Sequence, residues 1–494
     1  MTFSSYLDWI NQHGDPSNAR LMFGIMPAYP IFMFSGILLV IIASIIKLKM
    51  KGIPLREFEI ATVLVVPAGA LGASIFGKIF LPGMVWYHIF FFWEPGMSLF
   101  GGLLLGSLVG FVWFYRRSKT TLISIWVYAD CIIPNLLLGQ MLGRWGNFYN
   151  HEILGQIVSY DSLRWLPNFI RDELFYFPNL TGFDLPGNWA ARFQDGDLDL
   201  TTIIATSGIF KGQSLFDVLS SPIEYRAPLF LIEGIGCLIL WFLITLIIPK
   251  IGYWFSQTKP WDLEPKAYPG WFNKKYKYLP KTEIIGQKTL LPIKYRQQTF
   301  TKTKAFKNSQ QRSPQLEPNL RLSLTKAWQK AYYWQSLEEV ETRHFEELQL
   351  RHEQTLAKLE TQYKKAKLAN QRKPKKMRLK ENCKLGWNHK KQQWVYLLKG
   401  NPNGRDLEQA NNPHRYLTIR CGVQTSCYLI GYLILRIILE TQRLGTELMI
   451  PEQPIIDFIL LSLILTFAIC LLFVAQLIAP YRYREVGWLY EKSY

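Results

Sequence analysis

The sequence predicts an all-α integral membrane protein of about seven transmembrane helices, with the N-terminus outside and the C-terminus inside. Three observations carry this. Seven apolar runs are each long enough to cross a hydrocarbon layer of roughly 30 Å. Short basic clusters follow alternate runs, which fixes an orientation. The composition combines 49% apolar and 15% aromatic residues with a formal charge of +19, a mixture that calls for apolar spans plus a separate basic region.

The first run extends from about Met22 to Ile46 and ends in KLKMK (Lys47–Lys51). The second covers about Ile60 to Phe80. An aromatic belt follows, WYHIFFFW (Trp86–Trp93), of the kind found at a membrane–water boundary. The third runs from about Met97 to Phe114, is rich in glycine and ends at Arg116, Arg117 and Lys119. The fourth, about Leu122 to Leu142, leads into GQMLGRWGNFYNHEILG (Gly139–Gly155). Residues 150–226 are soluble in character and mildly acidic, with Asp195, Asp197 and Asp199 close together. The fifth run covers about Pro228 to Ile248, the sixth about Tyr416 to Leu439, and the seventh about Ile455 to Ile478. The positive-inside rule puts KLKMK, RRSK, Lys250 and the C-terminal Arg482 and Arg484 in the cytoplasm, and the 150–226 segment outside. Three regions follow: a core over 1–250 with spans one to five, a basic, partly helical insertion over 251–415, and a core over 416–494 with spans six and seven and a cytoplasmic tail.

Together with Lys250, the insertion holds 35 Lys and Arg against 14 Asp and Glu. Its net of +21 exceeds the charge of the whole chain. It reads as a solvated helical domain attracted to anionic lipid heads. The second reading is RNA or ribosome contact, since basic stretches with Trp and Tyr contact phosphates and stack on bases, although no nucleic-acid-binding motif is present. The six cysteines form neither a CxxC pair nor a metal-ligand spacing. No disulfide framework, zinc site or cofactor is expected. The N-terminus lacks a basic n-region and a cleavage site, so no removable signal peptide is expected.

The Gly139–Gly155 stretch places Arg144, Asn147, Asn150 and Glu152 at the end of an apolar run. Charges and amides at the edge of a span need partners or a task. An arginine alone would read as a snorkelling side chain. Two asparagines, a glutamate and four glycines around it read as a site for an anionic, phosphorylated ligand, because the guanidinium fork suits phosphate and glycine permits close approach. Depth adds residues from other spans. Tyr29 lies near the outer end of the first, Arg226 precedes the fifth, and Glu233 lies just inside it. In LRIILETQR, Arg436, Glu440 and Arg443 fall at i, i+4 and i+7 on one helix face. All gather toward the outer leaflet, which argues against a transporter pathway, whose polar residues would line both faces and the middle.

GRWGNFYNHEILG resembles the GRxGNFxNxExxG stretch of the prolipoprotein diacylglyceryl transferase family, seven-span bacterial membrane enzymes. YPIFMFSG (Tyr29–Gly36), GMSLFGG (Gly96–Gly102), Asp130, RAPLFLIE (Arg226–Glu233) and GYLILRIILETQR (Gly431–Arg443) resemble further family segments in the same order. The likeness covers roughly 20–250 and 416–480; the insertion has no counterpart. The resemblance implies transfer of the diacylglyceryl group of phosphatidylglycerol to the lipobox cysteine thiol of a prolipoprotein, forming a thioether and releasing glycerol phosphate. Arg144 and Arg436 would stabilise the leaving phosphate. Asn147 and Asn150 would orient head-group oxygens, Glu440 would hold Arg436, Glu152 would orient Arg144 or the glycerol, and Tyr29 would bond the lipid head. Gly155 would give room for acyl chains or for backbone approach. The sequence departs from the family at Phe100, which stands where the family has a histidine, and at Ser74, Ala227, Phe230 and Ile232. His151 and His88 are candidate replacement bases, His151 first because it adjoins the matched residues. The rival reading is a degenerate paralogue that binds phosphatidylglycerol or lipoprotein signal segments without chemistry.

Overall fold

A computed structural model describes residues 3–16, 21–22, 26–51, 53–79, 87, 90, 99–121, 123–257, 339–371, 374–399, 416–443, 448, 453–482 and 492–493. The fold is all-α and the chain is a multi-pass membrane protein. Six helical stretches among the described residues are long and apolar enough to cross a bilayer: Ala28–Met50, Arg56–Lys78, Ile125–Tyr149, Leu229–Gly252, Val423–Glu440 and Pro454–Arg482. The expected third span is the 23-residue helix Leu99–Thr121. It is long enough to cross but is not among those six, and Arg116, Arg117 and Lys119 lie in its last turns.

The helices are α1 (Tyr6–His13), α2 (Ala28–Met50), α3 (Arg56–Lys78), α4 (Leu99–Thr121), α5 (Ile125–Ile132), α6 (Leu136–Tyr149), α7 (Leu229–Phe242), α8 (Glu339–Asn370), α9 (Lys375–Lys399), α10 (Val423–Glu440) and α11 (Pro454–Phe473), with a few shorter turns between them. The fourth apolar run is interrupted by a 3-10 turn at Ile133–Asn135. Pro134 lacks an N–H there and cannot continue the α ladder. Helix then resumes and carries on through Tyr149, so Arg144 and Asn147 lie on a helix rather than after it. The sixth span begins at Val423, later than expected, because Ile419–Arg420 forms a short strand paired with Lys492–Ser493.

The described residues form two compact units. The first comprises Met1–Ile46, Ile132–Leu243 and Cys427–Ala468. Its extramembrane lobe, residues 150–226, folds around a core that includes Trp9, Ile10, Leu154, Phe175, Trp189, Leu215 and Tyr225. Its membrane helices approach through small residues, as helices in lipid do. A Cβ on Gly36 of α2 would stand 2.9 Å from the Gly139 carbonyl oxygen of α6. Helices α7 and α10 interlock reciprocally: Leu435 lies over Gly236 and Leu240 over Gly431, with hypothetical Cβ contacts of 2.9 and 2.8 Å.

The second unit comprises Lys47–Cys131, Ile244–Ser426 and Ile469–Tyr494. In it α3 and α4 touch backbone to backbone at Gly72 and Gly101, where a Cβ on either would strike the other's carbonyl oxygen. Arg117 of α4 clamps Glu57 of α3 with two bonds of 2.7 and 2.6 Å. Asp130 of α5 accepts from Gly422 N at 2.7 Å, Thr425 N at 2.9 Å and Thr425 Oγ1 at 2.7 Å. It thereby satisfies free amides at the start of α10, as a capping carboxylate does.

Candidate functional site

The site lies within the first unit and is built from α2, α6, α7 and the end of α10. Helical spacing puts Arg144 and Asn147 three residues apart, one above the other on α6. Arg144 Nη1 donates to Asn147 Oδ1 at 3.4 Å, and Asn147 Nδ2 donates to Glu152 Oε2 at 3.5 Å. On α10 the i, i+4 spacing brings Arg436 Nε to 2.7 Å from Glu440 Oε2, with Nη2 at 3.2 Å from Oε1. The ring of Tyr29 lies against Gly146, where a Cβ would meet Tyr29 Cδ2 at 2.8 Å. Glycine at that position is what admits the tyrosine ring against α6.

Two residues that the sequence placed near the site without a role join these groups. Glu233 of α7 accepts from Arg144 Nη2 at 2.6 Å through Oε1 and from Arg443 Nη2 at 2.8 Å through Oε2. Arg443 Nε lies 3.7 Å from Glu440 Oε2. Arg443 was expected on the helix face with Arg436 and Glu440, but α10 ends at Glu440. Arg443 occupies the following turn and reaches Glu233 from there. The result is an alternating chain, Arg144–Glu233–Arg443–Glu440–Arg436. The signal for Glu233 was present: a carboxylate inside a span demands a cation. Which cation it takes depends on how α6, α7 and α10 pack.

Both carboxylates are fully buried, and the guanidinium side chains are 7%, 3% and 9% exposed. The buried chain thus holds three cations against two anions, an excess of one positive charge. Glu152 is exposed and lies beyond Asn147. The buried Nε of Arg144, Arg436 and Arg443 all lack a well-formed hydrogen bond, but those of Arg436 and Arg443 lie 2.7 and 3.7 Å from Glu440 Oε2. Such a cluster favours one further anion, because an uncompensated buried charge costs several kcal/mol.

The remaining candidate residues serve the turn after α6. Asn150 closes the helix, its N–H donating to Gly146 O at 3.2 Å. His151 and Ile153 take φ of 52° and 56°, a left-handed conformation uncommon outside glycine. Gly155 N–H donates to Ala227 O at 2.9 Å, and a Cβ there would stand 2.9 Å from Ala227 Cβ and 3.0 Å from Leu229 Cγ. Its smallness lets the chain approach the segment leading into α7.

His151 occupies a setting that its sequence position did not suggest. Its ring is buried in the lobe against Trp9, Phe175 and Phe177. Nδ1 lies 2.9 Å from Phe175 O and Nε2 3.4 Å from Glu173 Oε2. Both nitrogens therefore face acceptors, so the pair keeps a proton, either on the imidazole or on the carboxyl. A ring so engaged is placed to hold the lobe together rather than to take a proton from a substrate. Burial raises the Glu173 carboxyl above its ordinary range, opposed by the Trp9 indole and by His13. His88 lies outside the described residues. Phe100 lies in the first turn of α4.

Residues 20–259 match the family described as prolipoprotein diacylglyceryl transferase. Over that region the chain is similar to the prolipoprotein diacylglyceryl transferase family. Curated relatives named phosphatidylglycerol–prolipoprotein diacylglyceryl transferase are 32% identical over 152 residues; they include proteins of Streptococcus pneumoniae strain Hungary19A-6, serotype 19F strain G54 and serotype 2 strain D39. The alignments take in 30% of this chain and 55% of each relative, so the chain spans about half the length of the curated relatives it matches. No solved structure matches it. The resemblance read from GRWGNFYNHEILG thus agrees with the family match, and the Arg144 and Glu233 segments both lie inside it.

Proposed function

We propose that the protein transfers the diacylglyceryl group from phosphatidylglycerol to the lipobox cysteine thiol of prolipoproteins, in a bacterial cytoplasmic membrane, with its site toward the outer leaflet. The observation that carries this reading is the buried chain with one positive charge in excess. A phosphodiester carries one negative charge and fits that excess. Arg144 and Arg436 would hold the phosphate oxygens, Asn147 and Asn150 the head-group hydroxyls, and Tyr29 a further oxygen.

In the reaction the cysteine sulfur attacks the glyceryl carbon that bears the phosphate ester. The C–S bond forms as the C–O bond breaks, and the bonding pair leaves on glycerol phosphate. Charge grows on the phosphate as the bond breaks, so guanidiniums placed there act on the transition state more than on the bound lipid. The same cations favour thiolate over thiol. Because both nitrogens of His151 are engaged in the lobe, the thiol proton is assigned to the departing phosphate, whose second ionisation lies near neutral pH.

Protein reconstituted with labelled phosphatidylglycerol and a lipobox peptide should yield a thioether and glycerol phosphate. Arg144→Ala and Arg436→Ala should each reduce the rate about a hundredfold or more. The reading favoured by Phe100, Ala227 and Phe230 is a binder without chemistry. It predicts lipid or peptide binding and no thioether, and one thioether product excludes it.

A further inference from the structure

We propose that helix α9 is a docking surface for anionic lipid heads, and that it lies along the membrane leaflet that the insertion faces. The inference is independent of the transferase reading.

The insertion's described part is an antiparallel pair, α8 and α9, and the charge is not shared between them. Helix α8 carries six acidic and six basic residues, whereas α9 carries seven Lys and Arg378 against Glu381 alone. Contacts between the helices fix which face of α9 is presented. Asn370 Nδ2 donates to Asn382 Oδ1 at 3.4 Å, Tyr363 stacks on His389 at 4.4 Å, and Gly386 lies against the Tyr363 hydroxyl. Asn382, Gly386 and His389 follow i, i+4, i+7, so they form one face, turned to α8.

The opposite face bears Lys380, Lys384, Trp387, Lys391 and Trp394, again at helical spacing and all exposed. Trp387 is 72% and Trp394 66% exposed, high for indoles. Two indoles one above the other, about 10 Å apart along the axis, flanked by lysines, match a helix lying in a membrane interface. The indoles enter at head-group depth and the lysines reach phosphates. Single-stranded RNA is held in a positively charged groove that tracks its backbone, and one convex helix face forms no groove. Chain length is compatible: Lys399 and Tyr416 are separated by at most about 60 Å of extended chain, so tethering keeps the helix close to a bilayer.

The test is hydrogen exchange on the intact protein in nanodiscs. In discs of phosphatidylcholine with about one-third phosphatidylglycerol, amides of 375–399 should exchange at least fivefold more slowly than in pure phosphatidylcholine. That is about the contribution of one lysine near an anionic surface. Lys380→Gln/Lys384→Gln/Lys391→Gln and, separately, Trp387→Ala/Trp394→Ala should abolish the difference while α8 amides keep their rates, which shows that the hairpin still folds. Equal exchange in the two discs overturns the proposal. So does slowing that appears only when oligouridylate is added to phosphatidylcholine discs.

Discussion

Replacing Glu233 by glutamine removes a negative charge from between two guanidiniums while nearly preserving side-chain volume. The wild-type carboxylate lies 2.6 Å from Arg144 and 2.8 Å from Arg443 and is fully buried, so solvent screening takes little from either interaction. Removing one partner of a buried ion pair costs about 3–5 kcal/mol, chiefly because a buried charge is left uncompensated. In Glu233→Gln the cluster would go from an excess of one positive charge to an excess of two. The amide oxygen can accept from one arginine only, and its NH2 would face the other. The expected loss is therefore about 3–5 kcal/mol, seen as a lower denaturant midpoint in mixed micelles. The double variant Glu233→Gln/Arg443→Gln restores the original excess and should recover part of that loss, giving a coupling of about 1–3 kcal/mol in a double-mutant cycle. If Glu233→Gln unfolds within about 0.5 kcal/mol of wild type and the double variant merely adds two independent losses, the alternating-charge account is wrong.

Three further outcomes follow from the same geometry. Gly146→Ala places a methyl 2.8 Å from Tyr29 Cδ2 and 3.2 Å from its Cα; overpacking of this kind should cost about 1–3 kcal/mol and displace Tyr29, and Tyr29→Ala in the same chain should restore stability but not transfer. His151→Ala should lower lobe stability by about 1–3 kcal/mol through its lost buried hydrogen bond and leave the pH–rate profile of thioether formation unmoved; loss of the basic limb of that profile would make His151 the base after all. Burial raises Glu173 in the folded lobe, so its contribution to stability is full below the ordinary carboxylate value near 4.3 and is lost as pH rises through the raised value. Glu173→Gln should flatten that fall in denaturant titrations, and an unchanged slope would show that Glu173 is not its source.

The sequence by itself determined what depends on neighbours a few residues away. Run length and composition define the helices, and a period of 3.6 pairs Arg436 with Glu440 and stacks Arg144 over Asn147. The motif residues also carried the family resemblance. Helix ends were less legible, because Pro134 and the strand at Ile419–Arg420 interrupt runs whose hydropathy is continuous. Tertiary structure decided the rest. Glu233 lies 89 residues from Arg144 and 210 from Arg443, and nothing in its spacing selects those partners over Arg226 or Arg436. The choice belongs to the packing of α6, α7 and α10, set where Leu435 and Leu240 lie over Gly236 and Gly431. For the same reason the ring of His151, which adjoins Asn150 and Glu152 in sequence, lies in the lobe core beside Glu173: two left-handed residues turn the chain there.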